Sequence, residues 1–333
     1  MFDDSFYMRL ALQEAWKHQL LTYPNPAVGA VVVDAGGRPI AVAAHKEAGK
    51  PHAEVLAIRD AYCRLTGCRD LMACDDAHEL HIGLKRRAGR LFDGATIYVT
   101  LEPCGHCGKT PACSDLIAAL GFRRVVVGSD DPNPEAAGGA ERLECLGIEV
   151  VRSVEKGACD RLIEPFVKWR NGRFVLFKLA QTLNGVVDGG TISCEASRRW
   201  VHTLRTKVDT LFIGGNTVRC DRPRLDSRLV GGRAPDVAIF TRDPSSIDRT
   251  IPLFAVPERE VRFMRALPDR GLVMVEGGGA ALSALENEID WMVLFVAPFV
   301  KEGTCYNGVK NFDLLHQRSM GRDAMMWLKG NDG

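Results

Sequence analysis

The sequence predicts a two-domain α/β protein. Three observations carry this. The chain has 333 residues, a length that suggests two domains or one large one. Short runs rich in Val, Ile and Phe alternate with helix-like runs, the pattern of packed α/β layers. The alternation occurs twice, and it breaks at VEKGACDRLIEPFVKWRNGR, which reads as a helix and connector. The expected bounds are 1–153 for a first domain, 154–172 for a linker and 173–333 for a second domain.

The elements follow in order. MFDDSFYMRLALQEAWKHQL reads as an amphipathic helix. In TYPNPAVGAVVVDAGGRPIAVAAH two apolar runs flank Gly36-Gly37, a β-hairpin pattern. PHAEVLAIRDAYCRL is helical, with Pro51 placed to start it. Residues 66–92 are charged and of low periodicity, which suggests an insertion or irregular loop. ATIYVTLE is a strand by its Val, Ile and Tyr content. SDLIAAL is a short helix that stops at Gly121, and RRVVVGS is a strand followed by the turn-rich DPNPE. ERLECLG and IEVVRSV complete the first series as helix and strand. The second series runs through FVLFKLAQTLNGVV, the helix CEASRRWVHTLRTK, the strand DTLFIGG, the turn-rich DRPRLDSR and the strand DVAIFT. A weaker region precedes GLVMVEGGGAALSAL and WMVLFVAPFV.

Composition excludes some function classes. Net charge is +1, with 46% hydrophobic and 26% charged residues. Nothing there calls for a nucleic-acid or membrane partner. No apolar run approaches the length of a membrane span. The N-terminal helix carries acids where a secretory signal carries bases. Eleven cysteines, an odd number in a long chain, fit reduced thiols in the cytoplasm, some of them metal-bound.

Chemistry concentrates in two places. His52-Ala53-Glu54 stands at a helix start, and PCGHCGKTPAC follows a strand. One His and two Cys can hold zinc and leave a fourth position for water. H-x-E followed by P-C-x-x-C is the zinc-deaminase design, with the Glu as proton shuttle and not a ligand. Either motif alone also fits a structural zinc site or a redox pair. Spacing alone selects Cys104 and Cys107.

The longer pattern resembles a family. PNPAVG, His45 with six residues between it and HAE, P-C-x-H-x-G-K-T-P-x-C and DPNP, in that order, resemble the deaminase half of the bifunctional riboflavin-biosynthesis deaminase/reductases. The resemblance implies a cytidine-deaminase-like three-layer α/β/α domain. It also implies one Zn²⁺ on His52, Cys104 and Cys113, with Cys107 a bystander thiol and Glu54 catalytic. Asn25, His45, His106, Lys109, Thr110, Asp131 and Asn133 would line the substrate pocket. A lysine with backbone amides suits a phosphate, and Asn and Asp suit a pyrimidine edge.

The second half resembles the reductase half of the same family through K-LAQTLNG, EASRRWVHTLR, GGNTVRCDRPRLDSR and VEGGG. This implies a dihydrofolate-reductase-like α/β domain that uses NADPH. Ala180, Thr217, Asp221, Thr241, Gly278 and Gly279 would touch the cofactor. Ser193, Arg205, Leu225, Arg228 and Glu276 would touch the sugar phosphate, for which arginines are suited by bidentate hydrogen bonds. Asn184 stands where the family has Asp, Thr191 lies near a usual aromatic, and Arg222 replaces a frequent acid. The resemblance implies small pyrimidine ribotide substrates and a homo-oligomer, dimer or tetramer. Two rivals are a nucleoside or tRNA deaminase with an inactive or regulatory second domain, using Cys107, and a non-catalytic zinc protein. A structural site would have four protein ligands and no need of Glu54.

Overall fold

In the first unit of the chain, helix α1 (Asp4–Trp16) starts where the Asp3 carboxylate accepts the Phe6 N–H at 2.8 Å. Strands β1 (Gly29–Val33) and β2 (Pro39–Ala44) form the expected antiparallel hairpin. Its turn is closed by Asp34, which accepts the Gly36 and Arg38 N–H groups, both at 2.9 Å. There follow α2 (Ala53–Thr66), α3 (Ala77–Ala88), β3 (Thr96–Leu101), α4 (Cys113–Ala119), β4 (Arg124–Ser129), α5 (Gly139–Cys145), β5 (Glu149–Val151) and α6 (Lys156–Asn171). This computed structural model describes residues 2–106, 110–305 and 310–331. Cys107 and Lys109 lie outside the described residues.

The sheet order is β2-β1-β3-β4-β5, with β3, β4 and β5 parallel. Alternation along the strands separates its two faces. Ala30, Val32, Ile97, Val99, Val125 and Val127 join residues of α2, α4 and α5 in one buried cluster. The opposite face carries α1 and the start of α6. There a Cβ on Gly29 would stand 2.0 Å from the Ala11 carbonyl oxygen, and one on Gly128 would stand 2.3 Å from the Cys159 sulfur. Arg124 fastens α1 through two bonds to Asp4, at 2.7 and 2.8 Å. The result is three layers, helices on both faces of one sheet.

One expectation is corrected here. Residues 66–92 are not simply an irregular loop, because α3 occupies much of the stretch. Asp76 caps it by accepting the His78 and Glu79 N–H groups, and Lys85, Arg86 and Arg87 close its last turn, a favourable placement against the helix dipole. Its apolar stripe is only Ala77, Leu80, Leu84 and Ala88, so charged residues mask the helical period.

The second unit begins with β6 (Arg173–Thr182), α7 (Glu195–Arg205), β7 (Thr210–Gly214), α8 (Gly215–Asp221), β8 (Asp236–Phe240), β9 (Val261–Met264) and β10 (Gly271–Glu276). It closes with α9 (Gly279–Ala284), β11 (Trp291–Ala297), β12 (Asn311–Met320) and β13 (Asp323–Asn331). The sheet order is β12-β13-β11-β6-β10-β7-β8-β9. The six strands from β11 to β9 pair in parallel, and β13 and β12 add an antiparallel edge. One face packs Val175, Phe177, Phe212, Val273 and Val275 against Leu282 and Leu285. Elsewhere in the sheet's packing, Trp200 of α7 meets Phe295 at 5.8 Å and Trp327 at 5.7 Å.

The chain divides into two compact units, Met1–Val167 and Lys168–Gly333. The two-domain α/β class expected from the sequence holds.

Candidate active sites

His52 is the N-cap of α2, Cys113 is the first residue of α4, and Cys104 lies just past the end of β3. Two helix starts and the end of the central strand of the first sheet therefore converge. The Cys113 sulfur lies 3.4 Å from His52 Nδ1, and the Cys104 sulfur 3.8 Å from it. All three ligand atoms lie within 4.8 Å of one another. A tetrahedral zinc at roughly 2.0 Å from nitrogen and 2.3 Å from sulfur spaces its N and S ligands by about 3.5 Å. The donor set and its spacing fit zinc. Nδ1 faces the sulfurs, so Nε2 is left to carry the ring proton toward the Thr110 hydroxyl, 3.3 Å away. That contact fixes ring and tautomer, as outer partners of a metal ligand do.

Electrostatics agree with ligand chemistry. The Cys104 sulfur accepts from Cys113, whose N–H is 3.3 Å away. The Cys113 thiol, hydrogen-bonded to the Cys104 sulfur, above all brings the Cys104 thiol pKa down to about 4, with the Cys113 N–H adding to it, while the same thiol contact pushes that of Cys113 up. Burial pulls His52 down, but the Cys104 contact and the Glu54 charge outweigh it and raise it. Glu54, in the first turn of α2, is 4% exposed. Burial raises its pKa, with partial offset from His52. A carboxyl so placed can both take and hold a proton.

Two expected pocket residues form a short relay beside the ligands. The Asn25 amide donates to His45 Nε2 at 3.2 Å, and His45 Nδ1 donates to the Pro51 carbonyl at 3.1 Å. His45 meets His52 edge-on, ring centres 5.4 Å apart. Burial first, then the His52 charge, lowers the His45 pKa to about 4. His45 is therefore neutral near pH 7. His106 is exposed. Asp131 and Asn133 shape a turn: Asp131 Oδ1 accepts the Asn133 N–H at 2.8 Å, and Asn133 Oδ1 accepts the Glu135 N–H at 3.3 Å.

The structure adds Glu102, which no motif reading selected. It is 5% exposed, two residues before Cys104. One carboxylate oxygen accepts the Gly138 and Ala140 N–H groups, both at 3.0 Å; the other accepts the Asp131 N–H at 3.2 Å. A single buried carboxylate thus ties the Asp131–Asn133 turn to the strand that delivers Cys104. The loop is pressed so close that a Cβ on Gly139 would stand 1.8 Å from the Pro103 carbonyl oxygen. The sequence signal was an acid at a strand end immediately before the cysteine motif.

In the second unit the expected residues gather at the carboxyl ends of parallel strands, where open α/β sheets bind ligands. Arg205 and Glu276 form a bidentate pair, Nε to Oε1 at 2.8 Å and Nη2 to Oε2 at 2.9 Å. Arg205 Nη1 also donates to the Asp226 carbonyl at 3.0 Å. Arg205 outweighs the burial of Glu276 and holds that carboxyl below its ordinary range. Lys178 stands level with Glu276 across β6 and β10, its ammonium 4.0 Å from the carboxylate. Burial lowers the Lys178 pKa. Lys178 belongs to the quoted K-LAQTLNG string but was not selected as a site residue. Arg228 is exposed and pairs with Asp226. Leu225 is buried with φ 55°, a strained conformation for a branched side chain. Ser193 is half-buried just before α7, and Ala180 is half-buried in β6.

The expected nucleotide residues lie on adjoining strand ends. A Cβ on Gly215 would stand 2.8 Å from the Thr241 Cβ, so only glycine allows this approach. A Cβ on Gly214 would stand 3.8 Å from the Thr217 hydroxyl. Gly278 and Gly279 open α9, and a Cβ on Gly278 would meet nothing within 4 Å. Such bare backbone beside open space suits a pyrophosphate. Asp221 is exposed at the far end of α8, one turn on from Thr217. The departures also have local settings. Asn184 donates its amide to the Lys301 carbonyl at 2.9 Å, which a carboxylate cannot do. Arg222 adopts φ 44° after α8 and pairs with Asp248 at 2.8 Å. Thr191 is exposed.

Comparison with known proteins agrees with both halves. Residues 1–129 match the cytidine and deoxycytidylate deaminase zinc-binding region, and residues 173–301 match the RibD C-terminal domain. The riboflavin biosynthesis protein RibD of Aquifex aeolicus is 32% identical over 337 residues, covering 89% of this chain and 87% of that protein. RibD of Mycobacterium tuberculosis is 34% identical over 318 residues, covering 89% and 85%. The match to RibD of Synechocystis is 37% identical and spans 60% of that protein. The crystal structure of a diaminohydroxyphosphoribosylaminopyrimidine deaminase/5-amino-6-(5-phosphoribosylamino)uracil reductase from Thermotoga maritima superposes with TM-score 0.66 at 29% identity, covering 98% of this chain and 99% of that one. Acinetobacter baumannii RibD gives 0.65 at 26%, covering 99% of each. A nucleoside or tRNA deaminase with an inert second domain is not favoured, because the relatives align through both halves. No helix among the described residues is long and apolar enough to cross a membrane. The chain belongs to the RibD family of bifunctional riboflavin-biosynthesis enzymes, with a zinc-binding deaminase domain and an NADPH-dependent reductase domain.

Proposed function

We propose that residues 1–153 deaminate 2,5-diamino-6-(5-phosphoribosylamino)pyrimidin-4(3H)-one by hydrolysis. Residues 173–333, after a linker at 154–172, would then reduce the ribosyl chain to ribityl, giving 5-amino-6-(5-phosphoribitylamino)uracil. The observation that carries the reading is the convergence of His52, Cys104 and Cys113 beside a buried Glu54 whose carboxyl is raised.

His52, Cys104 and Cys113 would hold one zinc. Zinc, when bound, makes a hydroxide nucleophile available at neutral pH. Glu54 takes the proton from the attacking water, gives one to the ring nitrogen and then serves the departing ammonia. His45, kept neutral, and Asn25 offer fixed hydrogen-bonding groups to the pyrimidine. The Asp131–Asn133 turn, held by Glu102, forms a further wall. His106, Lys109 and Thr110 lie on the segment between the two cysteines, where they can meet the ribotide; Lys109 suits its phosphate.

In the second unit NADPH, when bound, supplies a hydride. Ala180, Thr217, Asp221, Thr241, Gly278 and Gly279 position it. Ser193, Arg205, Leu225, Arg228 and Glu276 hold the sugar phosphate, with the Arg205–Glu276 pair as a rigid base. The protein's part there is alignment of the nicotinamide with the opened sugar. The reading includes a cytoplasmic homo-oligomer, dimer or tetramer. Free thiols at all described cysteines support a reducing compartment, and the exposed Leu314 on edge strand β12 supports association.

The test is to supply the diaminopyrimidine ribotide with and without NADPH and identify products. The reading predicts ammonia and the ribosylamino-uracil without NADPH, and the ribitylamino-uracil with it. Release of ammonia with no reduction under either condition would remove the second half of the reading.

A further inference from the structure

Outside the carboxyl ends of β7 and β8 lies an open depression of about 500 Å³. Two guanidinium groups, those of Arg219 and Arg242, line it together with Asn216, Thr241 and the ring of Phe240. Arg219 projects from α8, and its Nη1 donates to the Ser246 hydroxyl at 3.0 Å. Ser246 in turn donates to the Asp243 carbonyl at 2.8 Å. The Arg219 head is thus held in place across the depression while keeping other N–H donors. Asp243 also borders the depression, but its carboxylate is occupied by Ser245, whose N–H it accepts at 3.0 Å. Two cations against one engaged anion leave the depression net positive. Phe240 is 36% exposed, an apolar platform beside the cations. The close approach of Gly215 to Thr241 joins this depression to the nucleotide residues named above.

A flat aromatic face next to two guanidiniums and two small polar side chains matches one ligand chemistry, a purine nucleoside carrying a phosphomonoester. We propose that Arg219 and Arg242 bind the 2′-phosphate of the adenosine end of NADPH and so make this chain select NADPH over NADH. The proposal rests on the reading of the second unit as NADPH-dependent. Arginine is suited to this task because its planar fork meets a phosphate with two parallel hydrogen bonds. NADH lacks that phosphate and would leave both guanidiniums with only their present partners. Thr241 and Asn216 would serve the ribose and base of either cofactor and carry no discrimination.

The test measures dissociation constants of NADPH and NADH for the full-length protein by calorimetry or tryptophan fluorescence. Wild type is compared with Arg219→Gln, Arg242→Gln and the double variant. Each lost charge-assisted contact should weaken NADPH binding by roughly tenfold, while the NADH constant stays the same and reports an intact fold. Adenosine 2′,5′-bisphosphate should compete with NADPH in wild type and lose potency in the variants; ribose 5-phosphate should not compete. Equal weakening toward both cofactors, or no change in either, would overturn the assignment. Competition by ribose 5-phosphate, lost in the variants, would assign the depression to the substrate's phosphate and overturn it equally. Wild type that binds neither cofactor would instead remove the NADPH reading on which the proposal stands.

Discussion

The Cys113 sulfur and His52 Nδ1 lie 3.4 Å apart although 61 residues separate them. Two ligand atoms at that spacing, with the Cys104 sulfur beside both, describe three corners of a tetrahedron. Glu54, two residues from His52 and buried, then lies where a proton must move.

Glu54→Gln should retain zinc at the wild-type stoichiometry and lose deamination by roughly 10²–10⁴-fold. Metal analysis beside ammonia release checks this. Wild-type rates would place the proton shuttle on another residue.

Glu102→Gln tests the buried carboxylate behind the substrate loop. Its amide nitrogen would have to face one of three backbone N–H groups that the carboxylate now accepts. A turn displaced by about 1 Å costs on the order of 10²-fold, here in deaminase kcat/KM and mainly through KM. Zinc content should not change. A variant with unaltered KM would show that the Asp131–Asn133 turn holds its place without Glu102.

These two carboxylates show what the sequence made legible. Glu54 was found because hydrolytic deamination requires an acid beside a metal ligand, and HAE places both in one helical turn. Glu102 was not, because its work is to bind backbone N–H groups 29 to 38 residues away, and backbone groups leave no mark on residue identity. The two α/β series were legible from alternating apolar runs. Helix α3 was not, since its stripe of two leucines and two alanines is thin among charges. The β12–β13 hairpin also went unread: β12 is an edge strand with mostly half-buried or exposed residues, which yields no clean alternation. Choosing Cys113 over Cys107 needed the family pattern, because spacing alone favours the nearer thiol.

Arg205→Ala should destabilise the second unit. It leaves the Glu276 carboxylate with the Lys178 ammonium at 4.0 Å as its remaining cation among the described contacts. Removing one partner of a buried pair costs roughly 3–5 kcal/mol. Urea unfolding should show the loss, and Arg205→Met with Glu276→Gln should recover much of it. Equal stability of Arg205→Ala and wild type would mean that water already screens the pair.

His81 predicts an acid-side weakness in the first unit. It is 4% exposed, and its Nδ1 has no partner among the described residues. Burial, followed by the Lys85 charge, lowers its pKa to about 4 from an ordinary 6.5. The unfolded chain therefore takes up a proton below about pH 6.5 that the folded chain refuses until about pH 4. Stability from this group is full above that window and is lost as pH falls through it. His81→Leu should flatten the decline of melting temperature between those limits relative to wild type. A variant that declines just as steeply would exclude His81 as a source.

The most direct measurement is zinc content with deamination rate in Cys113→Ser and Cys107→Ser. Cys113→Ser should lose both metal and deamination, and Cys107→Ser should keep both at wild-type levels. Retained zinc and activity in Cys113→Ser, with loss of both in Cys107→Ser, would contradict the ligand set and the site built on it.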